Sequence, residues 1–187
     1  MSLENFQQVG KDLFLAGLNN SHSGNISQRL GDKMLITRTG AMLHHIAESD
    51  LIETSIFNED ENTKKASREH PVHKAIYAKT KAKAVVHAHS PHSVALAYEE
   101  DIFKPIDAEG KLYFPNGVPV ITAEQTIASY EVGEKCAELL KQVPAVIVRE
   151  HGVFAAGETL EEAYKYVCSL EHSAKIKFLN QISKIRN

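Results

Sequence analysis

Apolar residues recur at helical spacing near the start of the chain. Leu3, Phe6, Val9, Leu13 and Leu18 fall near one face and predict a helix over residues 3–18. Asn19, Asn20, Ser21 and Gly24 then end it with turn chemistry. Short strand-like segments follow at 25–30, 33–37 and 51–57, and the charged stretch 59–65 reads as a loop. Residues 69–79 predict a helix whose first turn tolerates Pro71. Ala84, Val85 and Val86 form an apolar strand that runs straight into His87. Pro91 opens a helix as far as Tyr98, the stretch 101–117 is irregular, and 118–122 returns to strand. Residues 129–142 are amphipathic, and 144–148 make a second apolar strand that ends in Arg149, Glu150, His151 and Gly152. After Val153, Phe154 and Ala155, Thr159 caps a final helix over 160–180. Helices and strands alternate along most of the chain, which predicts a layered α/β domain. No repeat, low-complexity tract or linker divides it, so 1–187 reads as a single domain.

Composition narrows the function classes. A chain of 187 residues, 43% hydrophobic, is long enough to bury a core of its own. Lys and Arg number 21 against 24 Asp and Glu, so the basic excess of a nucleic-acid binder is missing. No apolar run approaches the roughly 20 residues of a membrane span. The opening stretch through Phe14 is charged and periodic, unlike a secretory leader. Cys136 and Cys168 sit in helix-like segments without metal-site spacing, and they read as free thiols of a cytoplasmic protein. The ten histidines, unevenly spread, change the picture.

His87, Ala88 and His89 place two imidazoles at i and i+2 of a strand, where they point to one face and converge. They lie at the end of that strand, where functional groups of α/β sheets commonly emerge. His151 repeats the pattern after Val146, Ile147 and Val148. Two strand ends could thus deliver three imidazoles to one point, and three protein ligands with an open position suit a catalytic zinc. Any one of these histidines alone is more often a hydrogen-bonded structural residue than a ligand. His44 and His45 are adjacent, would diverge, and read as surface or loop residues, while His22 and His172 have no evident partner. Glu69 opens a helix, where the helix dipole favours a carboxylate, and it is also placed to act as a general base beside a metal. His73, one turn further on, would either orient Glu69 or simply pack. Two glycine-bearing loops, Ser23 to Ser27 and Thr37 to Gly40, expose N–H groups and hydroxyls able to cradle a phosphate, although such residues also make plain turns.

Taken in order, Ser-Gly-Asn-Ile-Ser at 23–27, Thr-x-Thr-Gly at 37–40, Ser-x-Glu-x-x-x-His at 67–73, His-x-His-x-x-His at 87–92 and His151-Gly152 resemble the class II aldolase/adducin family. The resemblance runs over residues 5–177, and the L-fuculose-1-phosphate aldolase branch is nearest in pattern. It implies a three-layer α/β/α sandwich around a central, largely antiparallel or mixed sheet. It implies that His87, His89 and His151 bind one Zn2+ per subunit. Glu69 matches the carboxylate that joins the metal in the empty site and becomes the acid/base when substrate arrives. Asn25, Thr39, Gly40 and Ser67 match the phosphate-binding positions, with Gly24 shaping the first loop. The implied protein is a cytoplasmic homotetramer with interfacial active sites. The implied reaction cleaves a ketose 1-phosphate, either L-fuculose 1-phosphate or a related deoxy-pentulose or hexulose 1-phosphate, to dihydroxyacetone phosphate and an aldehyde.

The chain departs from that pattern in three places. Arg68 stands where the fuculose enzymes carry a second serine, and it would either pair with phosphate or point away. The aromatic C-terminal tail that closes over the site in longer members is expected to be shortened or absent. The proton donor in these aldolases is a tyrosine from a neighbouring subunit, for which Tyr113 and Glu109 are the candidates. Related family members epimerise ribulose phosphates, dehydrate methylthioribulose 1-phosphate, or serve as metal-free adducin-type modules. The epimerases carry a shorter acidic residue in place of Glu69, and both enzyme groups have longer inserts between His89 and His151. The adducin type lacks the metal set, which is intact here. An unrelated zinc hydrolase is the remaining reading of three histidines.

Overall fold

The computed structural model describes residues 2–185. Helix α1 (Leu3–Leu15) buries Phe6, Val9 and Leu13. The apolar spacing continues to Leu18, but the helix stops earlier because Gly17 adopts φ +69. The N–H of Leu18 reaches back to the Leu13 carbonyl and that of Gly17 to Phe14, each at 3.0 Å, which closes the helix in a Schellman turn. Leu18 therefore joins the core from outside the helix.

Three short strands follow: β1 (Asn25–Leu30), β2 (Lys33–Thr37) and β3 (Leu51–Ser55). Helix α2 (His70–Lys79) leads to β4 (Ala84–Ala88) and the short α3 (Pro91–Leu96). The stretch 101–117, expected to be irregular, contains β5 (Ile102–Phe103) and α4 (Ala108–Tyr113). Asp107 starts α4 by accepting the Gly110 N–H at 2.8 Å. The chain continues through β6 (Val118–Ile121), α5 (Tyr130–Leu139), β7 (Ala145–Val148), β8 (Gly152–Gly157) and α6 (Leu160–Ile185). Thr159 caps α6 as expected, accepting the Glu162 N–H at 3.1 Å.

The strands form one mixed sheet in the order β3-β2-β1-β4-β8-β7-β6-β5, antiparallel throughout except for the parallel pair β6 and β7. Strand alternation splits the core in two. Ile26, Val86, Ala88, Ile147 and Val153 pack with α1, α3 and α6 on one face. Val85, Val146, Val148 and Phe154 pack with α2 and α5 on the other. This is the expected three-layer α/β/α sandwich. By the same alternation His87, next to Val86 and Ala88, belongs to the α2/α5 face. Cys136 is buried and Cys168 half-buried, both as free thiols. Among the described residues no helix is long and apolar enough to cross a membrane.

Candidate metal centre

Three elements converge at one end of the central strands. His87 is the penultimate residue of β4, and its ring stacks on Phe154 of β8 with centroids 4.1 Å apart. Its Nδ1–H donates to the Val153 carbonyl at 3.0 Å. That bond fixes the tautomer, so the lone pair sits on Nε2, which is buried and has no hydrogen-bond partner. His89 follows directly after β4, and its backbone N–H donates to Asn19 Oδ1 at 3.0 Å. His151 lies in the turn between β7 and β8, where the preceding Glu150 adopts φ +67. Its Nδ1 is likewise buried without a partner.

Ring centroids lie 5.0 Å apart for His87 and His89, 4.6 Å for His87 and His151, and 5.1 Å for His89 and His151. One nitrogen from each lies within 4.8 Å of the others. Burial holds all three imidazoles in the neutral form. It takes His87 well below 6.5 with help from the other two rings, lowers His89, and brings His151 down to about 4 with help from His89. Neutral, converging and unpartnered nitrogens are what a metal ion requires, and an imidazole trio fits zinc. Gly152 permits this approach, since a Cβ there would stand 2.3 Å from the Ala88 carbonyl oxygen.

Glu69 is the N-cap residue of α2 and is almost wholly buried. Its Oε1 accepts the backbone N–H of Ala128 at 2.8 Å, while Oε2 is buried and unpartnered. Burial raises its pKa above the usual carboxylate value, and the Ala128 bond opposes that rise. Glu69 stands outside the group of mutually close histidine nitrogens. His73 does not orient it. Instead His73 lies 2.6 Å from both Asn25 Oδ1 and Ser27 Oγ.

The segments expected to bind phosphate are stitched together. Thr39 donates its N–H to the Lys65 carbonyl at 3.3 Å and its hydroxyl to the Ala66 carbonyl at 2.9 Å. The Ser67 N–H donates to the Thr37 carbonyl at 3.0 Å. Gly24 and Gly40 both adopt left-handed φ, at +77 and +71. Asn25 pairs with His87 across β1 and β4, which places the first loop beside the histidines. Arg68 is exposed, with no hydrogen bond or ion pair among the described residues.

Tyr113 and Glu109 belong to α4 and make their contacts on α6. The Tyr113 ring meets Tyr166 edge-on at 6.2 Å, and Glu109 accepts the Ser169 hydroxyl at 2.9 Å. The structure does not bring either to the histidines within one chain. His92 also turns away, donating Nδ1–H and its backbone N–H to Glu171 Oε1 at 2.7 and 2.9 Å. His44 and His45 form a short surface turn, as expected, with His44 stacked 4.1 Å from Phe14. Sequence reasoning missed Asn19, Phe154 and Ala128, of which only the Asn19-Asn20 pair in a turn carries any local signal.

The profile of the Class II Aldolase and Adducin N-terminal domain matches residues 4–178. The chain belongs to the class II aldolase and adducin family. Among solved structures, an L-fuculose-1-phosphate aldolase from Thermus thermophilus superposes with a TM-score of 0.93 at 35% identity, covering 98% of this chain and 96% of that one. The L-fuculose phosphate aldolase of Haemophilus influenzae is 32% identical over 79% of this chain and 68% of its own length. A 3-oxo-tetronate 4-phosphate decarboxylase of Escherichia coli O6:H1 is 28% identical over 94% of this chain and 85% of its own. Class II aldolase relatives of this chain therefore differ in the bond they break, and the site chemistry has to decide the reaction.

Proposed function

We propose that the protein is a zinc-dependent aldehyde-lyase that cleaves a ketose 1-phosphate to dihydroxyacetone phosphate and a short aldehyde. The observation that carries this reading is the trio of neutral, converging imidazoles, His87 and His151 buried and His89 half-buried, with unpartnered nitrogens on His87 and His151. His87, His89 and His151 hold the metal in this account, with Glu69 as a further ligand before substrate arrives. When bound, zinc supplies Lewis-acid stabilisation of developing negative charge.

The remaining work falls to the chain. The carbon–carbon bond breaks as the aldehyde hydroxyl loses its proton, and the bonding electron pair is left on the ketose fragment. A proton must then be added to the carbon that becomes the hydroxymethyl group of dihydroxyacetone phosphate. Glu69 Oε2 is the group for that transfer, because it is unpartnered and burial raises its pKa above the usual carboxylate value. Asn25, Thr39, Gly40 and Ser67 hold the phosphate, Gly24 shapes the first loop, and the free guanidinium of Arg68 adds a charged contact. Binding energy from this remote group aligns the reacting bond. In this reading the enzyme is a cytoplasmic homotetramer with sites between subunits, and a neighbour offers Tyr113 or Glu109, which takes the hydroxyl proton in cleavage and is the proton donor in condensation. Exposed Leu112 in α4, and exposed Ile127 and Tyr130 around Ala128, are apolar surface that such contacts would cover.

The test is dihydroxyacetone phosphate release from zinc-loaded protein, coupled to NADH oxidation by glycerol-3-phosphate dehydrogenase. L-fuculose 1-phosphate and 5-deoxyribulose 1-phosphate head the substrate panel. Release that disappears in His89→Ala supports the reading. No release across the panel moves the assignment to dehydration or epimerisation.

A further inference from the structure

A buried chain of hydrogen bonds runs from the middle of the sheet to Asn25. The Tyr77 hydroxyl lies 2.7 Å from Ser27 Oγ, Ser27 Oγ lies 2.6 Å from His73 Nδ1, and His73 Nε2 lies 2.6 Å from Asn25 Oδ1. Tyr77, Ser27 and His73 are fully buried, and Asn25 nearly so. Tyr77 and His73 belong neither to the metal trio nor to the two candidate phosphate loops, and Ser27 is the buried last residue of the first loop. Burying three polar side chains under α2 costs free energy unless each finds its partner, and here each does.

The direction of the chain is fixed at its outer end. Asn25 Oδ1 can only accept, so His73 Nε2 donates to it. The ring then accepts at Nδ1 from Ser27, and Ser27 in turn accepts from the Tyr77 hydroxyl. His73 is neutral in this apolar setting, its pKa lowered to about 3 by burial. A neutral imidazole that accepts at Nδ1 must donate at Nε2, and the only atom of Asn25 that can accept is Oδ1. The Asn25 amide nitrogen is therefore turned away from the chain, and its two N–H groups are left for the site. Asn25 is the cross-strand partner of His87, so those donors stand beside the metal trio.

We infer that His73 is a positioning residue which, with Ser27 and Tyr77 behind it, locks the Asn25 carboxamide so that its N–H groups face a bound phosphate monoester. This inference rests on the proposed phosphate-binding role of the Asn25 loop. Without the chain the amide can rotate and present its oxygen to the anion, which repels it.

A double-mutant cycle in the zinc-loaded protein tests the inference, with glycerol phosphate as the titrated probe. His73→Phe should raise its dissociation constant about tenfold, the scale of one hydrogen bond to a charged group. Asn25→Ala should do at least as much, and the double variant no more than Asn25→Ala alone. Zinc content should stay at the wild-type level in all three. If His73→Phe does not fold, Tyr77→Phe replaces it in the same cycle, with a smaller effect that is again absorbed by Asn25→Ala. Unchanged binding in the His73 or Tyr77 variant, or effects that add to Asn25→Ala, would overturn the inference alone. Wild-type protein that does not bind glycerol phosphate overturns the proposed anion site and the inference with it.

Discussion

The carboxylate of Glu69 and the backbone N–H of Ala128 are joined at 2.8 Å, and Ala128 makes that bond at φ +55, a conformation most side chains avoid. The loop before α5 thus pays backbone strain to hold an acid at the start of α2. One carboxylate oxygen is tethered and the other is buried and unpartnered. Glu69→Gln keeps the size and the Ala128 bond but removes the proton-transfer capacity. Turnover should fall about 10²–10⁴-fold, the usual worth of a general acid or base, while the three histidines still retain zinc. Steady-state rates with zinc analysis on the same sample check this, and a wild-type rate would remove Glu69 from its role.

Phe154 supports the candidate metal site through its stacked contact with His87. Truncation to Ala leaves a cavity under that ring and should cost about 3–5 kcal/mol of stability. Zinc affinity should drop with it, because the imidazole loses the surface that fixes its plane. Urea denaturation and competition with a chelator measure the two effects separately.

Gly152 sets the spacing between β8 and β4. A methyl group there would meet the Ala88 carbonyl at 2.3 Å, so Gly152→Ala should push the β7–β8 hairpin, and His151 with it, away from His87 and His89. We expect about 1–3 kcal/mol of destabilisation from overpacking and at least about a tenfold loss of zinc affinity. Unchanged affinity would mean that the hairpin can shift without moving His151.

Arg68 is exposed and unpaired among the described residues, so its removal should leave the fold alone. Arg68→Ala should raise KM for the phosphorylated substrate about tenfold with little change in kcat, as expected for a contact that is the same in ground and transition states. Equal KM values would show that the guanidinium points away from the phosphate.

His73 makes stability depend on pH. Its pKa falls from 6.5 to about 3 on folding because burial disfavours the charged ring. Below 6.5 the unfolded chain binds a proton that the folded chain refuses, so stability falls as pH drops towards 3 and is level above 6.5. In the metal-free protein His151, lowered to about 4, acts in the same direction. Urea midpoints across this range should therefore decline on acidification, and less steeply in His73→Gln. A midpoint that stays flat well below 6.5 would contradict the neutral state assigned to His73.

Local signals proved good guides where they carried the structural cause. β1 and β2 begin and end where the hydrophobic pattern places them. His87 and His89 come together as their i, i+2 spacing predicts, although His89 lies just past the end of β4. Helix α4 was hidden because its six residues are too few to show a period, and Asp107 looks like any loop aspartate. The bond from Ala128 to Glu69 leaves no trace in the sequence, since a backbone donor has no side chain to recognise. His73 could not be assigned from spacing either. One turn from Glu69, it nevertheless faces β1, because the packing of α2 on the sheet rather than the helix period decides which neighbour it meets.

The central claim is that Glu69 moves a proton at the carbon next to the carbonyl of dihydroxyacetone phosphate in a zinc-dependent site. Dihydroxyacetone phosphate incubated in heavy water with zinc-loaded protein, and no aldehyde, isolates that step from the choice of sugar. Proton NMR should show one of the two hydroxymethyl hydrogens exchanging for deuterium, with exchange lost in Glu69→Gln and in His89→Ala. No exchange by the wild-type protein, or exchange undiminished in Glu69→Gln, would contradict the account.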